Sequence, residues 1–224
     1  MLRCWGSALL AAAVLAGCGG EDREEMPPAA EALRYGVIGD SYSNGEGLGP
    51  EQAWPVALAE RLGAELVVNP AVSGWTAEQA IAEELPQLEA ADPDVATVLI
   101  GANDLVQGVP APTFRQRFRR LLAATVRIVG GTDRVVAVTV PDFSVKPYGQ
   151  RFADPAAVSA AIRERNAIIR AESARQDVAV ADVFAVSRRP ADPSPDGLHP
   201  SAGELRAWTD AIEPVARRAW SGVR

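Results

Sequence analysis

The sequence predicts an α/β domain of three layers, doubly wound around a flavodoxin-like five-stranded parallel sheet. Three observations predict it. Five short apolar runs alternate with helical patterns over residues 33–224. No internal repeat and no second block of composition interrupts that alternation. The third run, "DVATVLIG", is continuously apolar after its opening Asp but for one threonine, as suits a strand covered on both faces. A chain of 224 residues, 48% of them hydrophobic, suits one domain with a sizeable core. Its formal net charge of -7 argues against a nucleic-acid partner, which needs a basic face.

The N-terminal stretch is read separately. Arg3 precedes the apolar run "WGSALLAAAVLAG", which is too short to span a bilayer and ends in "LAGC", Leu15 to Cys18. This resembles a bacterial lipobox, which implies a signal peptide over residues 1–17 and a diacylglycerated Cys18 as the mature N-terminus. Cleavage there removes Cys4 and leaves Cys18 the only cysteine, so no disulfide forms within the mature chain. Two acyl chains suffice for stable anchoring. The resemblance thus implies an extracytoplasmic, lipid-anchored protein, at the outer membrane if its source has two membranes. "GGEDREEMPPAAEA" has no apolar periodicity, and residues 18–32 read as a flexible tether.

The elements of the domain at 33–224 then follow in order. "LRYGVIG" is the first strand, and "QAWPVALAERLG" a helix ending at Gly63. "ELVVNPAV" reads as the second strand. "TAEQAIAEELPQLEAA" is a helix opened by a capping box, Thr76 with Gln79. After the third strand, "TFRQRFRRLLAATVRIVGG" carries Phe114, Phe118, Leu121, Leu122 and Thr125 on one helical face and arginines on the other. "RVVAVTVPD" is the fourth strand, "PAAVSAAIRERNAIIRAESARQ" a long helix and "VAVADVF" the fifth strand. "AGELRAWTDAIEPVARRAW" closes the chain as a helix expected to kink or break near Pro214.

Sites in such sheets form at the carboxyl ends of strands, so the polar residues there carry the functional reading. Zinc sites built from several His or Cys are excluded, because His199 is the only histidine; no cofactor is expected. Any imidazole base is therefore His199, and Asp196, three residues earlier in a Pro/Gly-punctuated loop, can fold back onto its ring and fix the tautomer. Ser41, Ser43 and Ser73 are candidate nucleophiles, each beside a plain reading as a cap or turn residue. Ser41 directly follows the first strand, at a helix entrance whose N–H groups favour a developing anion. Gly74 lies where the second strand turns into its helix. "GAND" follows the third strand, and the Asn103 amide can donate to an oxyanion. Asp104 is expected to hydrogen-bond within its own turn, and Asn69 and Asn166 to hold loops or helix contacts.

"GDSYS", the Gly74 turn, "GAND" and "DGLHP" stand in the order of the four blocks of the SGNH (GDSL) hydrolases, which the chain resembles over about residues 35–203. That resemblance implies Ser41 as nucleophile, His199 as base and Asp196 as its orienting carboxylate. It implies an oxyanion hole from the N–H groups of Ser41 and Gly74 and the side chain of Asn103. Tyr42 stands where the family name has Leu, and on the resemblance its side chain points away from the chemistry. The implied function is hydrolysis of acyl esters through an acyl-enzyme, on lipids, lysophospholipids or thioesters, by a monomer whose partners are its substrate and the membrane. The alternatives are an O-acetyl esterase or acyltransferase acting on envelope glycans and, in another class, a non-catalytic lipid- or glycan-binding lipoprotein. The α/β-hydrolase arrangement is disfavoured, since it needs Gly-x-Ser-x-Gly and an acid far from its His. Trp75, Asp142, Phe143, Lys146 and Tyr148 are placed where they can line a substrate pocket.

Overall fold

The computed structural model describes Met1, residues 32–189 and residues 196–223. The expected signal peptide, Cys18 and nearly all of the tether lie outside the described residues. Five parallel strands form one sheet in the order β2-β1-β3-β4-β5. They are β1 Arg34–Gly39, β2 Glu65–Val68, β3 Val95–Leu99, β4 Val135–Val138 and β5 Ala179–Ala181. This is the flavodoxin-like order. β3 and β4 are buried along their whole length, and their continuous apolar character reflects helices on both sides.

The helices are α1 Ser41–Asn44, α2 Trp54–Leu62, α3 Ala77–Gln79, α4 Leu85–Ala91, α5 Ala102–Val106, α6 Ala111–Val129, α7 Pro155–Arg175, α8 Phe184–Ser187 and α9 Ala202–Ala219. The Thr76–Gln79 capping box opens α3, and a π-helical segment, Ala80–Glu84, leads from it into α4. Glu84 ends that segment fully buried and accepts a hydrogen bond from the Gly39 N–H at 2.8 Å. α6 buries the face formed by Phe114, Phe118, Leu121, Leu122 and Thr125, and its Arg115 and Arg119 reach the buried Glu172 of α7.

Several elements differ from the sequence expectation: β4 and β5 are shorter than their apolar runs, and Phe184, expected in the fifth strand, opens α8. β2 stops at Val68, because Pro70 has no N–H to give a ladder and Asn69 instead donates its amide to the Ser43 carbonyl at 2.9 Å. α9 runs through Pro214 without a break. A helix-interior proline costs about 3 kcal/mol. Here buried Trp208, Ile212 and Ala216 hold the helix on both sides of it. Arg61 of α2 adds ion pairs to Asp210 and Glu213.

Register positions the crevice. β1 pairs with β3 from Tyr35 opposite Val95 to Gly39 opposite Leu99, so the two strands end at the same level. The chain runs from β1 to β2 on one side and later returns to β3 on the other. Asp40–Ser41 and Gly101–Asn103 therefore emerge together at a topological switch point. Gly101 has φ +126, and a Cβ there would lie 2.8 Å from the Phe114 ring, so only glycine lets α5 start so close to the sheet.

Candidate active site

At the end of β1, Asp40 is extended and fully buried, and its Oδ1 accepts the Tyr42 N–H at 3.0 Å, capping α1. This turns Ser41 into the first helical residue, with its side chain in the mouth of the crevice. α1 ends after one turn at Gly45, whose φ of +85 suits glycine and whose absent Cβ makes room for the Gly49 carbonyl.

The Gly74 turn is pinned from several sides. Asn44 donates to Ser73 Oγ at 3.0 Å, and Ser73 donates to Glu46. Gln107 donates to the Gly74 carbonyl at 2.8 Å, and Asn103 Nδ2 to the Trp75 carbonyl at 3.1 Å. The same Asn103 Nδ2 donates to Asp40 Oδ2 at 3.2 Å, which ties the strand ends of β1 and β3 together. Asp104 does not bond within its own turn as expected. Its Oδ2 accepts the N–H of Ala77, at the start of α3, at 2.8 Å, because the α5 turn faces the Gly74 loop rather than solvent.

On the far side, Asp196 Oδ1 accepts the N–H groups of Leu198 and His199, each at 2.8 Å, and Oδ2 lies 2.6 Å from His199 Nδ1. Three bonds thus fold the carboxylate onto the ring across the three-residue spacing. His199 is 6% exposed. Tyr42 packs on its ring at 5.2 Å between centroids, with Trp208 behind at 5.9 Å. The expectation that Tyr42 points away from this region is therefore corrected: its large flat ring fills the space beneath the imidazole.

Ser41, Asn103 and His199 line one cavity of about 70 Å³, walled by Phe143, Phe152 and Leu198. Of the expected pocket residues, only Phe143 faces it. Asp142 is fully buried and turned inward, accepting from Ser144, Ser159 and Arg188, because a carboxylate inside the domain must satisfy its oxygens. Lys146 pairs with Glu204 at 2.5 Å. Tyr148 is exposed beside Phe152, and Trp75 is half-buried outside the cavity wall. Asn69 and Asn166 hold backbone, the latter bonding both the N–H and the carbonyl of Val140. Val106, Phe152 and Leu198 were not singled out from sequence: Val106 ends α5 just after the GAND block, Phe152 follows the stretch after β4, and Leu198 lies within DGLHP itself.

Electrostatics divide the site into two. Burial pushes Asp40 up to about 7, against the opposing Tyr42 N–H bond and with the neighbouring Asp104 adding to the rise. Burial likewise pushes Glu84 up to about 8 and raises Asp104. Asp196 goes the other way: partial burial raises it, but the Leu198 N–H, the imidazole and the His199 N–H together hold it below the usual carboxylate range. The charged acid therefore sits behind the ring, while the carboxyls behind Ser41 favour their protons. Among the described residues, no three His, Cys, Asp or Glu side chains are grouped to hold a metal.

A buried imidazole held by a carboxylate, a helix-entrance hydroxyl and an amide share one small cavity; that set can pass a proton from hydroxyl to ring and stabilise an oxyanion. A sequence model of the GDSL-like Lipase/Acylhydrolase family matches residues 37–203. An arylesterase of Vibrio mimicus is 30% identical over 123 residues, 53% of this chain and 58% of that protein. Esterase TesA of Pseudomonas aeruginosa is 32% identical over 121 residues, 52% of this chain and 57% of that protein. The chain thus spans little more than half the length of these curated relatives. A crystal structure of TesA superposes with a TM-score of 0.65 at 25% identity, covering 84% of this chain and 99% of that one.

Proposed function

The chain belongs to the GDSL-like lipase/acylhydrolase family, and from that premise we propose that it is a serine esterase that cleaves acyl esters through an acyl-enzyme. The observation that carries this is the 2.6 Å contact of Asp196 with His199 Nδ1, on a ring that shares its cavity with Ser41. In this reading Asp196 holds Nδ1 so that Nε2 takes the Ser41 proton as the hydroxyl attacks the ester carbonyl. The tetrahedral oxyanion takes hydrogen bonds from the N–H groups of Ser41 and Gly74 and from Asn103 Nδ2, which gives up one of its two present acceptors, the Trp75 carbonyl or the Asp40 carboxyl, to do so. His199 then protonates the leaving alcohol, and water repeats the sequence on the acyl-enzyme. The names of the relatives, an arylesterase and an esterase, support the reaction class.

The test is hydrolysis of p-nitrophenyl acetate by the purified domain beside Ser41→Ala, with labelling by an organophosphonate. Turnover and labelling that both vanish in Ser41→Ala are expected. Turnover that survives in Ser41→Ala would remove Ser41 from the mechanism.

We propose from sequence that Cys18 carries the lipid anchor. Incorporation of labelled palmitate into the full chain, lost in Cys18→Ser, is the expected result.

A further inference from the structure

Phe143 faces Ser41, but the next residue along the turn Phe143–Val145, Ser144, lines a different and more polar cavity. It measures about 410 Å³ and is walled by Gln150, Ser159, Arg163 and Arg188. Pro155 and Ala156 complete it, so the positive end of the 21-residue α7 borders the space. Two guanidinium groups converge there. Arg163 Nη1 donates to Ser159 Oγ at 2.9 Å, and Arg188 Nη1 donates to the same oxygen at 3.2 Å. Both also pack on the Phe184 ring, 6.0 and 5.9 Å from its centroid. Arg188 pairs with the buried Asp142, to which Ser159 Oγ donates at 2.6 Å. Arg163 makes no ion pair among the described residues, and no described residue accepts from Nε or Nη2 of either arginine. Two cations thus share one carboxylate, in a chain whose formal net charge is -7. Like charges held this close repel, and an anion between them offsets that repulsion.

We propose that this cavity binds a phosphate group, free or carried as a phosphomonoester, between Arg163 and Arg188. The site stands apart from the esterase reading of Ser41. A guanidinium presents a planar fork of N–H groups that matches two oxygens of a phosphate. A tetrahedral phosphate has oxygens enough to meet two such forks at once, whereas a carboxylate fills only one. Near neutral pH a phosphomonoester carries about -1.5 to -2 charges, which suits two arginines beside a helix N-terminus. The volume is that of a pocket for a small organic molecule rather than for a bare ion, which leaves room for the group that carries the phosphate.

Calorimetric titration of the purified protein with inorganic phosphate, glycerol 3-phosphate and acetate, near neutral pH and at low salt, tests this. Cosedimentation with phosphatidylcholine vesicles, with and without phosphatidic acid, separates a lipid headgroup from a soluble ligand. Binding of the phosphates and far weaker binding of acetate are expected. Arg163 and Gln150 are exposed, so their variants should fold. Arg163→Gln should weaken binding by about tenfold or more, the usual loss for one charge-assisted contact. Arg163→Lys keeps the charge without the fork and should weaken it less. Gln150→Glu puts a like charge at the rim and should also weaken it, which guards against a packing defect in the Arg163 variants. Arg127→Gln removes the same charge from α6 and should leave binding unchanged. Retention on phosphatidic acid vesicles, lost in Arg163→Gln, assigns a lipid headgroup; binding of glycerol 3-phosphate without retention assigns a soluble ligand. Binding that persists in both Arg163→Gln and Gln150→Glu, or falls equally in Arg127→Gln, overturns the site. So does acetate bound as tightly as phosphate, or no binding of any of these probes.

Discussion

Asn103 Nδ2 donates to Asp40 Oδ2 across 3.2 Å, so the residue that caps the helix of Ser41 also holds the amide beside it. Ser41, the proposed nucleophile, and the amide are thereby tied to one carboxyl. Asn103→Ala should lower kcat on the order of a hundredfold, the usual loss for one oxyanion donor. Asp40→Ala should lower it about tenfold by releasing that amide, and Asp40→Asn less, since it keeps an oxygen for the cap. Steady-state kinetics on proteins of matched circular dichroism check this; an unchanged kcat in Asp40→Ala removes the positioning role.

Asp196 acts on the ring itself. Asp196→Asn presents an amide to Nδ1 in place of a carboxylate and favours the wrong tautomer. In a Ser–His–Asp enzyme that change costs about 10⁴ in kcat, and a loss on that order is expected. The melting temperature should move little, because the residue lies in a partly exposed turn. Paired kinetic and thermal measurements distinguish this from a folding defect.

Gly47 guards the same carboxylate. Its φ is +88, and a Cβ would stand 3.0 Å from Asp196 Oδ2. Gly47→Ala should displace that oxygen from the imidazole and lower kcat about tenfold. The backbone strain costs roughly 1 kcal/mol, a few degrees of melting temperature for a domain of this size. Full activity with lowered stability would show that the carboxylate tolerates the methyl group.

Glu84 sets the pH dependence of stability. It sits at about 8 in the fold, pushed up chiefly by burial, against about 4.3 in an unfolded chain. Between those values the folded protein holds a proton that the unfolded chain has released, so stability falls as pH rises through that range. Asp40, at about 7, adds a fall in the same direction. Glu84→Gln should flatten the decline in melting temperature between about pH 5 and pH 8. An identical slope in that variant would place the titrating group elsewhere.

Much of the sheet was legible because a doubly covered strand is apolar nearly along its length, as "VATVL" is but for Thr97, whose hydroxyl meets that of Tyr35, and a strand's period needs no partner to be read. Chain punctuation such as Gly63, Gly130 and the Thr76 box was legible for the same local reason. What escaped was set by partners far along the chain. Pro214 carries a helix-breaking signal, yet Arg61 and the packed face of α9 overrule it. Asp104 has an ordinary turn reading, and only the approach of the Gly74 loop shows that it serves Ala77. Asp142 follows a strand end, where polar residues invite a functional reading, but Ser159 and Arg188 claim it from α7 and the turn after α8. His199 stood out as the only histidine, whereas Ser41 was one of three candidate serines until the family resemblance singled it out. The apolar wall of Val106 and Phe152 was not legible, since a hydrophobic residue at the end of a one-turn helix has no pattern to distinguish lining from packing.

The docking of α9 on α2 has a consequence in time as well as in space. Ser41, Gly74 and Asn103 stand on the first three strands and their loops, which can associate while the rest of the chain is still being made. His199 immediately precedes α9, and its ring is seated by Tyr42 and Trp208, the latter from α9 itself. The aromatic seat of the imidazole is therefore complete only when α9 is packed in place. On the proposed mechanism, a chain truncated before His199 carries the proposed nucleophile without its base, and hydrolysis of esters by such a chain is expected to be lost.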